Sequence, residues 1–196
     1  MINIEALNVC CEEKTLFSNS DLKIDKGTYL LDGEEDSGKS VLLNLIYNHG
    51  VKNILLSSNE SFNFVVNGEV LMLSEDMILP SNQSEIEFMN LIAKLNNIKK
   101  PFSYIALYKE KPLNTYSKCE LKIAQLNLLI EMNPDILLLD EPFESSNNKY
   151  NDYILNKIRN RDVDKITIVV TSIDEFKIHF CKRIEIINQK LNIIKL

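Results

Sequence analysis

Several residue types that mark particular protein classes are scarce in this chain of 196 residues. Its four cysteines show neither C-x-x-C spacing nor a paired framework, so we expect no zinc site and no disulfide scaffold. The net charge of −6 and the pI near 5.1 argue against a nucleic-acid partner, which would require a positive surface. No apolar run approaches the roughly 20 residues that span a bilayer, and the N-terminus lacks a signal-peptide pattern. We therefore expect one soluble, cytoplasmic α/β domain. Its apolar pattern predicts N-terminal strands around Ile2–Val9 and Leu22–Ile24, a strand near Ile54–Leu56 and a helix over Glu85–Asn97.

Glycine is also scarce, and its positions are informative. The chain has five glycines, and three of them, Gly27, Gly33 and Gly38, lie in or just before one short segment. That segment, Gly33–Ser40, reads Gly-Glu-Glu-Asp-Ser-Gly-Lys-Ser and fits the G-x-x-x-x-G-K-[ST] pattern of a phosphate loop. Glycine tolerates positive φ and lets backbone N–H groups approach phosphate oxygens without an intervening Cβ. The pattern predicts a nucleotide site, with a chance match in a glycine-containing turn as the alternative.

The sequence on both sides of the loop supports the nucleotide interpretation. Thr28–Leu31 predicts a short buried strand before the loop, and the apolar stripe from Val41 to Ile46 predicts a helix after it. The N-terminus of that helix would add its own attraction for anions. Lys39 is expected to reach the β- and γ-phosphates, and the Ser40 hydroxyl to ligate Mg²⁺. The residues expected to contact the nucleotide are Gly33, Glu34, Glu35, Asp36, Ser37, Gly38, Lys39, Ser40 and Val41.

A second motif, Ile136–Pro142, reads Ile-Leu-Leu-Leu-Asp-Glu-Pro. A strand that is apolar at every position is typical of a parallel sheet covered on both faces. Open α/β sheets bind their ligands at the C-terminal ends of such strands, where this motif carries Asp140 and Glu141. We expect Asp140 to hold Mg²⁺, directly or through water, and Glu141 to polarise or deprotonate an attacking water. The alternative, an acidic strand end that merely faces solvent, is disfavoured by the phosphate loop upstream.

With these two motifs the sequence resembles the ATP-binding cassette (ABC) ATPases, the nucleotide-binding domains of ABC transporters. In that family a signature segment, typically Leu-Ser-Gly-Gly-Gln, begins a helix that leads without a gap into the Asp-Glu strand. Tyr116–Glu120 stands in this place, with the same spacing to Asp140. The resemblance implies an α/β P-loop NTPase fold with an ABC-type core sheet, an N-terminal antiparallel β subdomain and a shortened helical subdomain. All would belong to one domain, 1–196, with the helical subdomain at about 76–132.

The resemblance also implies cofactors and partners. ATP and Mg²⁺ would bind, and two such domains would pair head to tail as a homodimer or heterodimer. Ser117 would then face the γ-phosphate of the partner's ATP, although by itself Ser117 also predicts an N-cap that forms a capping box with Glu120. The chain would energise a separately encoded integral-membrane permease at the inner face of the cell membrane, with export of a peptide or antimicrobial as one expected role. The permease would contact the helical region.

Four departures from the family pattern bear on catalysis. Lys118 and Cys119 replace the two signature glycines, so Cβ atoms would protrude where a phosphate must approach. Ser172 stands where the family has a histidine that contacts the γ-phosphate, so that contact would be missing or made by a shorter hydroxyl. Glu75, with Ser74 as the alternative, takes the place of a glutamine near the Mg²⁺ site. The three carboxylates of the loop should weaken ATP binding unless their side chains point outward.

Asn147 stands where the family has an aspartate at the dimer contact, and the competing interpretation is a polar turn that caps the following helix.

Two main functions remain. Intact Lys39, Ser40, Asp140 and Glu141 favour an ATP-hydrolysing transporter subunit, whereas Ser172, Cys119 and the acidic loop favour a degenerate cassette that binds ATP and dimerises or regulates. A P-loop kinase or a DNA-acting cassette ATPase is the third interpretation, and neither explains the signature-like helix together with the acidic surface.

Overall fold

A computed structural model of the protein describes residues 1–11, 14–48, 63–74, 77–96, 110–144 and 148–195. These ranges contain the strands β1 Ile2–Cys11, β2 Lys14–Ile24, β3 Gly27–Gly33, β4 Asn63–Val66, β5 Val70–Leu73, β6 Ile136–Asp140, β7 Ile166–Val170, β8 Lys182–Ile187 and β9 Lys190–Lys195. They also contain the helices α1 Lys39–Tyr47, α2 Glu85–Leu95, α3 Lys118–Met132, α4 Asn148–Arg159 and α5 Asp174–Lys177. None of these helices combines the length and the apolar character needed to cross a membrane.

The central sheet has six strands in the order β5-β6-β7-β3-β8-β9. The first five run parallel, and β9 pairs antiparallel with β8 at one edge. In β6, Ile136 and Leu138 face a core shared with α1, while Leu137 and Leu139 face a second core shared with α3 and α4. A strand buried on both faces explains why every position of β6 before Asp140 is apolar. The predicted covered, mainly parallel sheet is confirmed.

A smaller sheet, in the order β2-β1-β4, is entirely antiparallel and confirms the predicted N-terminal β subdomain. Its second strand begins at Lys14, well before the Leu22–Ile24 predicted from the sequence. The pairing of β1 with β2 shifts register between Ile4 and Leu7 and again beyond Leu7. Such irregularities break the two-residue alternation of apolar and polar side chains, which is the signal by which a strand is predicted.

The helical part of the chain was predicted well where its termini carry capping residues. Ser117 caps α3 and Ser84 caps α2, each in a complete capping box with the glutamate three residues later. The predicted helix Glu85–Asn97 is present as Glu85–Leu95, and the Ser117–Glu120 capping box is confirmed. The predicted strand at 54–56 and the predicted site residues Glu75 and Asn147 lie outside the described residues.

Polar contacts hold the end of the sheet opposite to the phosphate loop. The buried guanidinium of Arg161 donates to the carbonyl of Ile166 at 2.7 Å, to the hydroxyl of Thr167 at 2.8 Å, and to the carbonyl of Pro134. Burial lowers the pKa of Arg161 to about 10. The Asp135 carboxylate accepts from Lys165 Nζ at 2.8 Å and from the Glu69 N–H at 3.0 Å. These bonds fix β6 and β7 side by side, so their other ends meet at the phosphate loop.

Candidate nucleotide site

The phosphate loop leaves the C-terminal end of β3 and enters α1, as the sequence predicts. Its two glycines are required for different reasons. Gly38 has φ +100°, and a Cβ there would also lie 3.1 Å from the Phe17 ring. Gly33 lies outside the positive-φ region, but a Cβ there would come within 2.7 Å of Ser37 Oγ. Asp36 supplies the other left-handed residue, with φ +55°, in a conformation that aspartate tolerates better than most side chains.

The start of α1 offers hydrogen-bond donors to an anion. The first bond within the helix runs from the Leu42 N–H to the Gly38 carbonyl at 2.9 Å, and no side chain caps the helix. Helix geometry leaves the N–H groups before Leu42 without acceptors inside the helix. Lys39 Nζ donates to the carbonyls of Gly33 at 2.8 Å and Glu34 at 2.7 Å, so its ammonium is folded over the loop. A phosphate above the loop would meet both the ammonium and the helix N-terminus.

Ser40 and Asp140, predicted from separate motifs, line the same cavity. The Ser40 hydroxyl lies near enough to the Asp140 carboxylate, at the end of β6, to lower its pKa. Burial raises the pKa of Asp140, and the Ser40 hydrogen bond together with the charges of Lys122 and Lys39 offsets part of that increase. A cavity of about 650 Å³ opens beside this pair, lined by Ser40, Asn44, Tyr47, Met72, Ser74, Met77, Asp140 and Glu141.

The donors around this cavity fit Mg²⁺. Mg²⁺ prefers oxygen ligands, keeps several waters, and is usually bound by one or two carboxylates together with substrate phosphates. Ser40 and Asp140 supply one hydroxyl and one carboxylate and leave room for phosphates and water. Within the described ranges no group of three or more His, Cys, Asp or Glu residues could hold a metal ion by itself. The pair therefore suits an ion that arrives with a nucleotide.

Glu141 lies on the other side of the same cavity and contacts Ser172. Its carboxylate accepts from the Ser172 N–H at 3.0 Å and lies 3.2 Å from the Ser172 hydroxyl, which can donate to it. Its own N–H donates to the carbonyl of Val170 at 3.1 Å. Glu141 has φ +46°, a left-handed conformation that costs an ordinary side chain about 1–2 kcal/mol. Two residues predicted as catalytic, Glu141 and Ser172, are thus paired at the ends of β6 and β7.

The acidic residues of the loop lie away from the Ser40–Asp140 pair. Glu34, Glu35 and Asp36 are exposed and line a separate cavity of about 750 Å³, next to the turn between β8 and β9. The cavity beside Asp140 includes none of the three. Glu34 and Glu35 therefore meet the condition under which acidic residues of the loop do not oppose ATP binding, whereas Asp36 also lines a further cavity together with Lys39 and Ser40.

Ser117 lines none of these cavities. Its hydroxyl accepts from the Glu120 N–H at 3.3 Å, and its N–H donates to the Glu120 carboxylate at 2.7 Å. Ser117 is exposed, so the N-terminus of α3 is open to another molecule. Glu75 lies outside the described residues, but its neighbour Ser74 lines the cavity beside Asp140.

Two lysines at the site were missed in the sequence. Lys14 Nζ donates to the carbonyl of Asp36 at 2.9 Å, and Lys14 lines a third cavity, of about 400 Å³, with residues of the loop and of α1. Lys122 Nζ donates to the carbonyl of Glu141 at 2.8 Å. No sequence pattern around Lys14 marks it as functional, because polar residues are common in surface strands. Lys122 stands between apolar neighbours in α3, and a charge in such a stretch could have marked it as paired.

No protein-family model matches the sequence, and no curated protein matches it. Solved structures do resemble it. An ATP-binding subunit of an ABC transporter has a TM-score of 0.78 at 13% identity, over 100% of this chain and 90% of that one. A structure assigned as a metal-chelate type ABC transporter, in an inward-facing conformation, has a TM-score of 0.75 at 16% identity, over 99% of this chain and 82% of that one. An ATP-binding protein assigned to an ABC transporter of Pyrococcus furiosus has a TM-score of 0.72 at 19% identity, over 94% and 96%.

The loop and the mainly parallel sheet define an α/β P-loop NTPase fold. More narrowly, the chain has the fold of the ATP-binding subunits of ABC transporters, over nearly its whole length. The resemblance inferred from the two motifs is therefore confirmed at the level of the fold.

Proposed function

We propose that the protein binds ATP with Mg²⁺ and hydrolyses it as the energising subunit of an ABC transporter. The observation that carries the proposal is that Ser40 and Asp140 line one cavity, beside a lysine folded over the phosphate loop. Two motifs about a hundred residues apart in sequence meet at one cavity large enough for phosphates and a hydrated cation. The fold shared with ATP-binding subunits of transporters supports the same role.

In this proposal each residue has a defined part. Lys39 and the first N–H groups of α1 bind the β- and γ-phosphates, while Ser40 and Asp140 would hold Mg²⁺. The ion, when bound, neutralises phosphate charge. Glu141 accepts a proton from a water whose oxygen bonds to the γ-phosphorus as the bond to the β–γ bridging oxygen breaks, which releases ADP and phosphate. Ser172 orients Glu141 and, on binding, offers its hydroxyl to the γ-phosphate. Glu75 would accept from a water on the ion.

The partners belong to the proposal as well. Ser117 and the N-terminus of α3 would bind the γ-phosphate of ATP held by a second ATP-binding subunit, identical or related. The permease would contact the helical region, where Ile78 is 90% exposed and Leu95 is 67% exposed. The subunit would then work at the cytoplasmic face of the membrane through that permease. Export of a peptide or antimicrobial, expected from the small size of the subunit, stays a prediction.

A degenerate cassette with little turnover is the second candidate, and one contact favours it. Ser172 directs both its N–H and its hydroxyl to one oxygen of the expected base, Oε2 of Glu141, so the hydroxyl is engaged by that carboxylate rather than held for a γ-phosphate, and Oε1 is the oxygen left to take a proton. Under this alternative ATP would bind and promote pairing, with release of phosphate close to background.

Calorimetry with MgATP and an assay of phosphate release test both candidates. The wild type should bind MgATP, and Lys39→Ala should lose that binding. Glu141→Gln should bind MgATP but release phosphate about 10²- to 10⁴-fold more slowly, the usual contribution of a general base. Glu144→Gln is the matched control, since it removes an exposed carboxylate three residues away and should leave the rate unchanged. No uptake of MgATP at millimolar concentration would overturn the proposal, whereas uptake without phosphate release favours the degenerate cassette.

A further inference from the structure

Lys122 connects the signature-like helix to the turn that carries the proposed base. Its Nζ donates to the Glu141 carbonyl at 2.8 Å and lies 3.7 Å from the Glu144 carboxylate. The Lys122 side chain is 17% exposed, so this ammonium reaches the turn from within the protein rather than from solvent. A bond from a charged donor to a carbonyl, partly shielded from water, is stronger than a neutral one and fixes direction as well as distance.

The bond matters because Glu141 has a backbone conformation that its own side chain does not favour. With φ +46°, the residue depends on its surroundings to stay in place. Its carbonyl accepts from Lys122 and, at 3.2 Å, from the N–H of Glu144. Its carboxylate accepts from Ser172 at the end of β7. The peptide unit is therefore held from α3 and the carboxylate from β7, and Lys122 is the side-chain donor that α3 contributes.

We propose that Lys122 is a positioning residue that holds Glu141 in its left-handed conformation and couples the base to movements of α3. This inference rests on the proposed ATPase function. Because α3 begins at Ser117, engagement of that end by a second subunit would displace the helix, and Lys122 would transmit the displacement to Glu141. Lys122 does not line the cavity beside Asp140; its hydrogen bond acts through the turn, and its charge also favours the ionised form of Asp140, a charge that Lys122→Arg keeps.

The kinetic test compares substitutions that remove or keep the charged donor. Lys122→Met keeps the apolar stem but loses the donor, and we expect kcat to fall about tenfold to a hundredfold with KM nearly unchanged, as a displacement near 1 Å produces. Lys122→Arg should restore most of the rate, because a guanidinium can reach the same carbonyl. Glu144→Gln should keep the wild-type rate, since it removes the ion pair but not the bond to Glu141. Lys122→Leu, which also has no donor, replaces the Met variant if that one does not fold.

A matched control contacts the same helix from a neighbouring one. Lys157 of α4 pairs with Glu131 near the other end of α3 at 3.9 Å, so Lys157→Met removes a lysine contact to α3 far from Glu141. We expect its kcat to equal that of the wild type. Equal kcat in Lys122→Met and Lys157→Met, or failure of Lys122→Arg to recover activity, would overturn the inference.

A second measurement needs neither ATP nor turnover, and it separates this inference from the proposed function. The N–H groups of Glu144 and Ser172 both donate to Glu141, so their hydrogen exchange reports whether the turn is held. In Lys122→Met these two amides should exchange at least about tenfold faster than in Lys157→Met, a change worth about 1.4 kcal/mol of local stability. Unchanged exchange rejects the positioning role even if the protein hydrolyses ATP. Faster exchange in a protein that binds no MgATP rejects the proposed function alone.

Discussion

Asp140 is the residue at which stability and the proposed function conflict. Its carboxylate is half-buried in the folded chain, and this burial raises the pKa because it disfavours the charged form. Ser40, Lys122 and Lys39 counteract this only in part. The ionised carboxylate therefore costs stability at the position that the proposed function needs for Mg²⁺.

This conflict predicts that Asp140→Asn stabilises the protein without nucleotide. A folded-state pKa above the ordinary value means that the ionised carboxylate costs stability at neutral pH, and that this cost disappears as the pH falls toward 3.8. The melting temperature of the variant at pH 7 should rise by about 2 °C or more, and the gain should shrink in acid. MgATP at a hundred times its Kd, which stabilises a binding protein by about 2.7 kcal/mol, should no longer protect the variant.

Asp135, at the other end of β6, provides the control of opposite sign. The hydrogen bond from Lys165, with that from the Glu69 N–H, lowers its pKa, so its ionised form stabilises the fold at neutral pH. Asp135→Asn should lower the melting temperature at pH 7 and leave protection by MgATP intact. If Asp140→Asn also lowered the melting temperature, the cost of burying the Asp140 charge would not outweigh the contacts that this carboxylate makes.

At the scale of elements, the sequence predicts the helices and strands whose signals lie within the element itself or at its ends. β3, α1, β6 and α3 were predicted because each joins an apolar pattern to a glycine, a cap or a pair of carboxylates. β2 was predicted short, because the bulges in its pairing with β1 depend on contacts across the hairpin. Ser40 and Asp140 line one cavity because the order of strands in the sheet brings the end of β6 close to the start of α1. The Lys122 bond could not be predicted in the same way, since it depends on the path of α3 across the end of β6.

The two capping boxes predict how to separate the structural use of Ser117 from its proposed catalytic use. Ser84 and Ser117 make nearly identical bonds, each accepting from its N3 N–H at 3.3 Å. Ser84→Ala and Ser117→Ala should each destabilise the protein by about 1 kcal/mol, measured by denaturant unfolding. Only Ser117→Ala should also slow phosphate release, by about tenfold or more, because a bond to a charged phosphate is lost as well. Equal rates of phosphate release in the two variants would show that Ser117 only caps the helix.

At the scale of the whole molecule, one subunit carries the parts of a complete site on two separate surfaces. The phosphate loop, Asp140 and Glu141 surround one cavity, whereas Ser117 lies outside it and is exposed. A site completed by a second copy would use both surfaces, and ATP would lie between the subunits. The γ-phosphate would then be the contact that holds them together, so that its hydrolysis would release the pair.

This arrangement predicts that the association state depends on intact ATP. Glu141→Gln, saturated with MgATP, should sediment at about twice the mass of the 22.6 kDa chain and return to one chain with MgADP. Adding Ser117→Ala to this variant should weaken the pair, and adding Lys39→Ala should abolish it by removing the nucleotide. A Glu141→Gln protein that binds MgATP by calorimetry yet sediments as a single chain would refute pairing of identical subunits. It would leave the nucleotide site intact and require a different ATP-binding subunit to complete it.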